Sequence, residues 1–289
     1  MQVNSEDRPW PQPLDHEDLE WPPEDQRILV PFHEAVNVTE SSLLGASIAF
    51  GSDGTLYLLH SVDPSVRPRT DDIRQDAGAK LTVTEEFEVP VVQRREDHSR
   101  NVLQTFVDSH DITSVLLDNA EDSFFSRTGP DQAEGLDCHT VVGTGMDAFE
   151  PPASILVPVA SGPHSGLATR IAEAVASAYD CWIELFHVLP EDAPEERESD
   201  AGALLDTYSG RIDDSVEVDT HVVRQSETAD AIVEHSEYHD LTILGAPEKG
   251  KLRRFLFGST TDDVMNSSET KPILTAHRKG TETLLSRWV

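Results

Sequence analysis

Residues 241–260 read Leu-Thr-Ile-Leu-Gly-Ala-Pro-Glu-Lys-Gly-Lys-Leu-Arg-Arg-Phe-Leu-Phe-Gly-Ser-Thr, and they gather the groups best suited to holding an anion. An apolar run of strand length ends at Gly245, a loop with Gly250 follows, and Gly258-Ser259-Thr260 opens the next helix. A helix start offers unpaired backbone N–H groups, glycine permits close approach, and hydroxyls add donors. Lys249, Lys251, Arg253 and Arg254 face a single acid, Glu248, in a chain with 54 Asp and Glu against 22 Lys and Arg. This is the one clearly basic place in the sequence. Phosphate contacts are expected first from the backbone around Gly245, Gly250 and Gly258 and from the Ser259 and Thr260 hydroxyls, with Lys249 and Lys251 as further contacts. The bland alternative is a plain helix N-cap, worth about 1 kcal/mol, with Leu252, Phe255 and Leu256 packed inward and the basic side chains in water.

Other candidate groups carry less. His33-Glu34 and His187 follow strands, at the sheet ends where ligands bind in α/β folds, but polar residues are ordinary there. His235 and His239 stand four apart at a helix end, the geometry of a metal pair. No third ligand accompanies them in sequence, so no metal is expected, and a helix C-terminus by itself favours histidine. There is no Ser-His-Asp spacing, nucleophile elbow, Walker lysine or Gly-x-Gly-x-x-Gly fingerprint. No catalytic residue is assigned, and an enzyme is not expected.

The elements that must position the loop repeat along the chain. Arg27-Ile-Leu-Val-Pro-Phe32 and Ser154-Ile-Leu-Val-Pro-Val159 are strand-length apolar runs, and each leads into the same succession of elements. After the second copy, 164–179 reads as a helix with Leu167, Ile171, Ala174, Val175 and Ala178 on one stripe. Strands at 182–187, 216–223, 241–245 and 272–276 alternate with helices through Leu204-Leu205, after Ser226, and from Gly258. After the first copy, strands are expected at 55–60, about 81–92, 112–117 and 140–142, with helices over 38–50 and from about Asp97 to His110. Such alternation predicts parallel sheets covered on both faces, with right-handed crossovers.

The motif and its setting resemble the universal stress protein family. ATP-binding members carry Gly-x-x-Gly, a spacer, and Gly-Ser/Thr between the fourth strand and fourth helix. Gly245 matches the first glycine and Gly258-Ser259 the last pair. The middle glycine falls on Glu248, with Gly250 displaced by two. These members also carry an Asp after the first strand, where this chain has Val159-Ala160-Ser161. The resemblance implies two tandem five-stranded parallel-sheet domains of adenine nucleotide alpha hydrolase-like, Rossmann-like type, related by a pseudo-two-fold axis with their last strands near the contact. It further implies a non-catalytic stress-response regulator. Its cofactor would be ATP with Mg2+, or AMP, or none, with the nucleoside near Val159 and Ala160. The alternative is a nucleotide-free scaffold that regulates a protein partner such as a transporter. In the first half, Asp118-Asn-Ala-Glu-Asp122 replaces the glycine loop, so that copy is expected to be degenerate.

Composition bounds the setting. A net charge of −32 repels phosphate backbones and anionic lipid, so neither nucleic acid nor a membrane is an expected partner. Five lysines, Lys80, Lys249, Lys251, Lys271 and Lys279, set against that acidity fit a haloarchaeal cytosol. There, molar salt reduces the Debye length to about 3 Å. No basic region followed by an apolar run stands at the N-terminus, and no apolar stretch reaches about 18 residues, so a cytoplasmic protein is expected. Residues 1–25, with five prolines and eight acids, read as a mobile arm. The domains are placed at 26–148 and 153–280, with a linker at 149–152 and a tail at 281–289. An internal pseudo-dimer is expected, with a homodimer as a further level of assembly. Cys138 and Cys181 read as buried, inert thiols.

Overall fold

The computed structural model describes residues 25–33, 38–62, 91–97, 102–118, 136–246 and 271–279. The first elements are β1 (Arg27–His33), α1 (Val38–Phe50), β2 (Thr55–Val62), β3 (Val91–Asp97), α2 (Val102–His110), β4 (Ser114–Asp118) and β5 (His139–Thr144). A 3-10 turn at Met146–Ala148 leads to β6 (Ser154–Pro158), α3 (Pro163–Tyr179), β7 (Trp182–Leu189), α4 (Glu196–Ser209), β8 (Val218–Arg224), α5 (Thr228–Ser236), β9 (Leu241–Gly245) and β10 (Ile273–His277).

Parallel strands covered on both faces need apolar side chains at consecutive positions. Ile28-Leu29-Val30 and Ile155-Leu156-Val157 meet that need, and all six are buried. The strands form a ten-stranded sheet in the order β3-β2-β1-β4-β5-β10-β9-β6-β7-β8. Pairs are parallel throughout, except that β5 and β10 run antiparallel, from Thr140 opposite His277 to Thr144 opposite Ile273. The two sheets read from the sequence are therefore joined into one. Each final strand would otherwise present a row of unpaired N–H and C=O groups, and the antiparallel pairing satisfies both rows.

Alternation along β1 sends Ile28 and Val30 to one face and Leu29 to the other. On the first face, Leu44 and Ile48 of α1 and Leu167, Ile171 and Val175 of α3 belong to a single cluster that runs through both halves of the chain. On the second face, Leu103, Phe106 and Val107 of α2 cover Leu29 and Val115. Ala231 and Ile232 of α5 cover Leu156 and Phe186. Helices α1 and α3 meet so closely that a Cβ on Gly51 would lie 2.0 Å from the Ala174 carbonyl oxygen. Gly51→Ala is expected to force the two helices apart and to cost about 2–3 kcal/mol. Urea unfolding would show it as a lower midpoint at unchanged slope; an unchanged midpoint would contradict the contact.

Several boundaries differ from those read off the sequence. The third strand starts at Val91, where register with β2 pairs it to Leu56, and Asp97 ends that strand rather than starting a helix. Alternating apolarity locates a strand but does not encode its register with a neighbour. Helix α4 begins at Glu196 inside the acidic stretch, with Glu196 and Glu198 in the first turn, where the helix dipole favours them. Helix α5 is preceded by Glu227, not Ser226, and has no side-chain cap. Gly143, one residue beyond the strand read at 140–142, lies in β5 opposite Leu274, and its Cβ would stand 2.6 Å from the Met146 side chain. Both cysteines are buried and free, and burial pushes each thiol up to about 12, which makes them inert. Among the described residues no helix is long and apolar enough to cross a membrane.

Candidate functional site

In the order β10-β9-β6-β7-β8, the chain leaves β6 toward β7 on one side and returns beside it as β9 on the other. The carboxyl ends of β6 and β9 therefore open a crevice at a topological switch point, where ligands bind in open α/β sheets. A cleft of about 530 Å³ lies there, lined by the end of β6 and the loop after it, the first turn of α3, the end of β7, the start of α5 and the end of β9.

Backbone and side chains fix the loop after β6. The Val159 N–H donates to the Phe186 carbonyl at 2.8 Å, which continues the sheet ladder beyond β6. The Ala160 N–H donates to Ser165 Oγ at 3.0 Å, and the buried Tyr208 hydroxyl faces the Ala160 carbonyl at 3.4 Å. Gly162 is the N-cap of α3 with extended backbone and no side-chain cap, and Pro163 follows at the first helical position. Proline has no N–H to satisfy there and its fixed φ suits the helix start. The first turn of this 17-residue helix thus turns its positive dipole end to the cleft. The Arg278 N–H donates to His164 Nδ1 at 3.0 Å, tying that turn to the end of β10.

His187 lines the cleft on the β7 side. Its Nδ1 stands 2.8 Å from the Val159 carbonyl oxygen. A carbonyl only accepts, so Nδ1 carries the proton and Nε2 of the neutral ring is an acceptor. That Nε2 is buried with no hydrogen-bond partner among the described residues. Among the described residues that line the cleft there is no carboxylate, in a chain with 54 of them.

The fold brings Val159, Ala160 and Gly245 together around this cleft. Glu248, which stands at the middle glycine of the family pattern, lies outside the described residues, as do Lys249, Gly250, Lys251, Gly258, Ser259 and Thr260. Gly245 has a packing reason as well. A Cβ there would lie 2.8 Å from His164 Cβ and 3.0 Å from the Ser165 nitrogen, so glycine lets β9 meet the start of α3. Sequence reasoning missed His164, Ser165 and Thr228 as lining residues. Their signal was position, since each begins a helix that follows a strand end.

His235 and His239, isolated in sequence, acquire neighbours in the fold. Glu184 of β7 and His221 of β8 stand beside them, and the ligand atoms of Glu184, His221 and His235 all lie within 4.8 Å of one another. Burial lowers the His235 pKa, against the opposing pull of Glu184.

Residues 153–275 match the universal stress protein family. No curated protein matches the sequence. A universal stress protein from Archaeoglobus fulgidus DSM 4304 is similar in structure, with a TM-score of 0.52 and 13% identity over 89% of this chain and 98% of that one. The cytoplasmic domain of a prokaryotic cation chloride cotransporter is also similar, with a TM-score of 0.60 and 12% identity over 91% of this chain and 99% of that one. At such identities these likenesses speak to fold alone. The family match covers the strands β6, β7 and β9 whose ends line the cleft, and residues 153–275 therefore form a universal stress protein family domain.

Proposed function

We propose that this chain is a non-catalytic stress-response regulator that binds an adenine nucleotide in the cleft between β6 and β9. The observation that carries this reading is the cleft itself. Its volume of about 530 Å³ falls in the range of small-molecule sites. It has a helix N-terminus in its wall, and no carboxylate among its described lining residues. A cleft whose described lining carries no acid, in a chain of charge −32, suits an anionic ligand. Phosphates are assigned to the first glycine turn and the Gly258-Ser259-Thr260 helix start, and the nucleoside to the Val159-Ala160 side. The shared strand order of the two halves supports a duplicated five-strand unit paired within one chain, which leaves the first copy without the glycine loop. The acidic composition supports a salt-rich cytoplasm.

Titration with ATP, ADP and AMP in molar KCl tests the reading. Gly258→Val is expected to abolish binding by placing a branched side chain where phosphate approaches. Glu248→Gly is expected to strengthen it about fivefold, or about 1 kcal/mol, and Asn119→Val in the first half is expected to leave it unchanged. No affinity below millimolar in either wild type or Glu248→Gly would sink the nucleotide reading.

One observation favours a second reading, a nucleotide-free scaffold for a protein partner such as a transporter. The close approach of Gly245 to His164 and Ser165 requires glycine whether or not a ligand binds, and no acid follows β6. The same titration separates the two.

A further inference from the structure

On the face of the sheet covered by α5, three elements converge around Phe186, a residue that also lines the cleft. Glu184 lies two residues before Phe186 on β7, and His221 of β8 is opposite Phe186 in register, so all three share one face. His235 sits one turn after Ile232, which packs against Phe186 from α5. The Phe186 ring lies 5.9 Å from the His221 ring and 4.2 Å from the His235 ring, between centroids, and holds both imidazoles in place. Nδ1 of His221 and Nδ1 of His235 each stand 3.8 Å from Glu184 Oε1, and Nε2 of His239 stands 4.0 Å from Oε2.

None of these separations is a hydrogen bond. Yet Glu184 Oε1 and His239 Nε2 are both buried without a hydrogen-bond partner among the described residues, and His239 is only 4% exposed. The state of the His239 ring sharpens the point. Its Nδ1 lies 3.0 Å from the His235 carbonyl oxygen, so Nδ1 carries a proton and Nε2 is the ring atom left to meet a ligand. A buried carboxylate oxygen and a buried imidazole nitrogen, both without partners and on neighbouring side chains, are unfavourable unless a positive charge lies beside them.

We propose that Glu184, His221 and His235, with His239 as fourth donor, bind a divalent transition-metal ion of the zinc class. One carboxylate oxygen and several imidazole nitrogens are the donors of a borderline ion, whereas Mg2+ and Ca2+ take oxygen. Donors around a tetrahedral zinc ion stand about 3.4 Å apart; Glu184 Oε1 already stands 3.8 Å from each of the His221 and His235 Nδ1 atoms, and the three ligand atoms lie within 4.8 Å of one another. The His221 side chain is 49% exposed and leaves a path for entry. The ion would tie β8, the edge strand, to β7 and α5, which is a structural role. The site is independent of whether the cleft binds nucleotide.

The test uses the full-length protein, stripped with a chelator and returned to molar KCl with excess Mg2+, which fills the weak all-oxygen sites of so acidic a chain. Zn2+ is titrated against a chromophoric chelator, and Co2+ is added separately as a spectroscopic substitute. The expected result is a tight Zn2+ equivalent that Mg2+ does not displace, together with the intense visible bands of tetrahedral cobalt. Both His221→Ala, at a half-exposed position, and Glu184→Gln should weaken Zn2+ by about 100-fold or more, with circular dichroism confirming that each is folded. Zn2+ held no more tightly than Mg2+ would overturn the site and leave Glu184 and His239 sharing a proton. Zn2+ bound equally by wild type and both variants would overturn it too, by placing the metal elsewhere.

Discussion

Raising KCl from about 0.1 M to about 2 M is expected to raise the thermal midpoint by about 20 °C or more. The effect arises from the net charge of −32. A chain of 289 residues folds to a sphere of about 24 Å radius, and smearing the charge over it gives a repulsion that screening reduces strongly. The Debye length is about 10 Å at the lower salt and a few ångströms at the higher. After allowance for the weaker repulsion in the expanded unfolded chain, the relief is of the order of 10 kcal/mol. A domain of this size moves by about 2–4 °C for each kcal/mol. Sucrose at matched osmotic strength should not reproduce the shift, since it does not screen charge. A flat midpoint across the KCl series would remove the halophilic reading of the composition.

Lowering the pH from about 7.5 to about 5 at constant molar KCl is expected to cost about 4 kcal/mol of unfolding free energy, through two histidines where β5 meets β10. His139 is held down to about 4, first by burial and then by the Lys279 charge, and His277 to about 3, first by burial and then by His164. His139 Nδ1 accepts the Lys279 N–H at 3.1 Å, a bond that needs the neutral ring. Both folded values lie below the unfolded value of about 6.5. Their stabilisation is therefore complete above about pH 6.5, and it falls as acid protonates the unfolded chain while the folded rings stay neutral. Urea unfolding at the two pH values measures it. The double variant His139→Gln, His277→Gln should lose most of the difference between them, whatever its absolute stability. A difference as large as that of wild type would assign the acid sensitivity to other groups.

Much of the architecture was legible in local residue patterns. The repeated Ile-Leu-Val-Pro runs are buried strands β1 and β6, because a parallel strand covered on both faces cannot alternate polar with apolar residues. Gly245 could be located at the end of β9 from the apolar run before it, and Val159-Ala160 from the strand that precedes them. Boundaries that depend on a neighbour were less legible. Val91 starts β3 by pairing with Leu56, and Glu196 starts α4 well before Leu204-Leu205, among consecutive acids.

What only the tertiary structure decided concerns groups distant in sequence. Glu184, His221 and His235 sit on three elements, and each alone is an ordinary polar residue on an amphipathic strand or helix. Period-two alternation puts Glu184 on the Phe186 face, but the register that sets Phe186 opposite His221, and the packing of α5 on Phe186, bring the imidazoles to it. In the same way, Gly245 is accounted for by the approach of α3, Gly51 by that of Ala174, and the neutrality of His139 and His277 by the joining of β5 to β10. The sequence by itself determined the strands, the order of the described elements and the acidic composition, since these derive from periodicity and residue type. Register, helix crossing and strand pairing are set by complementary surfaces that form only when the chain collapses, and they determined which of its many polar residues meet.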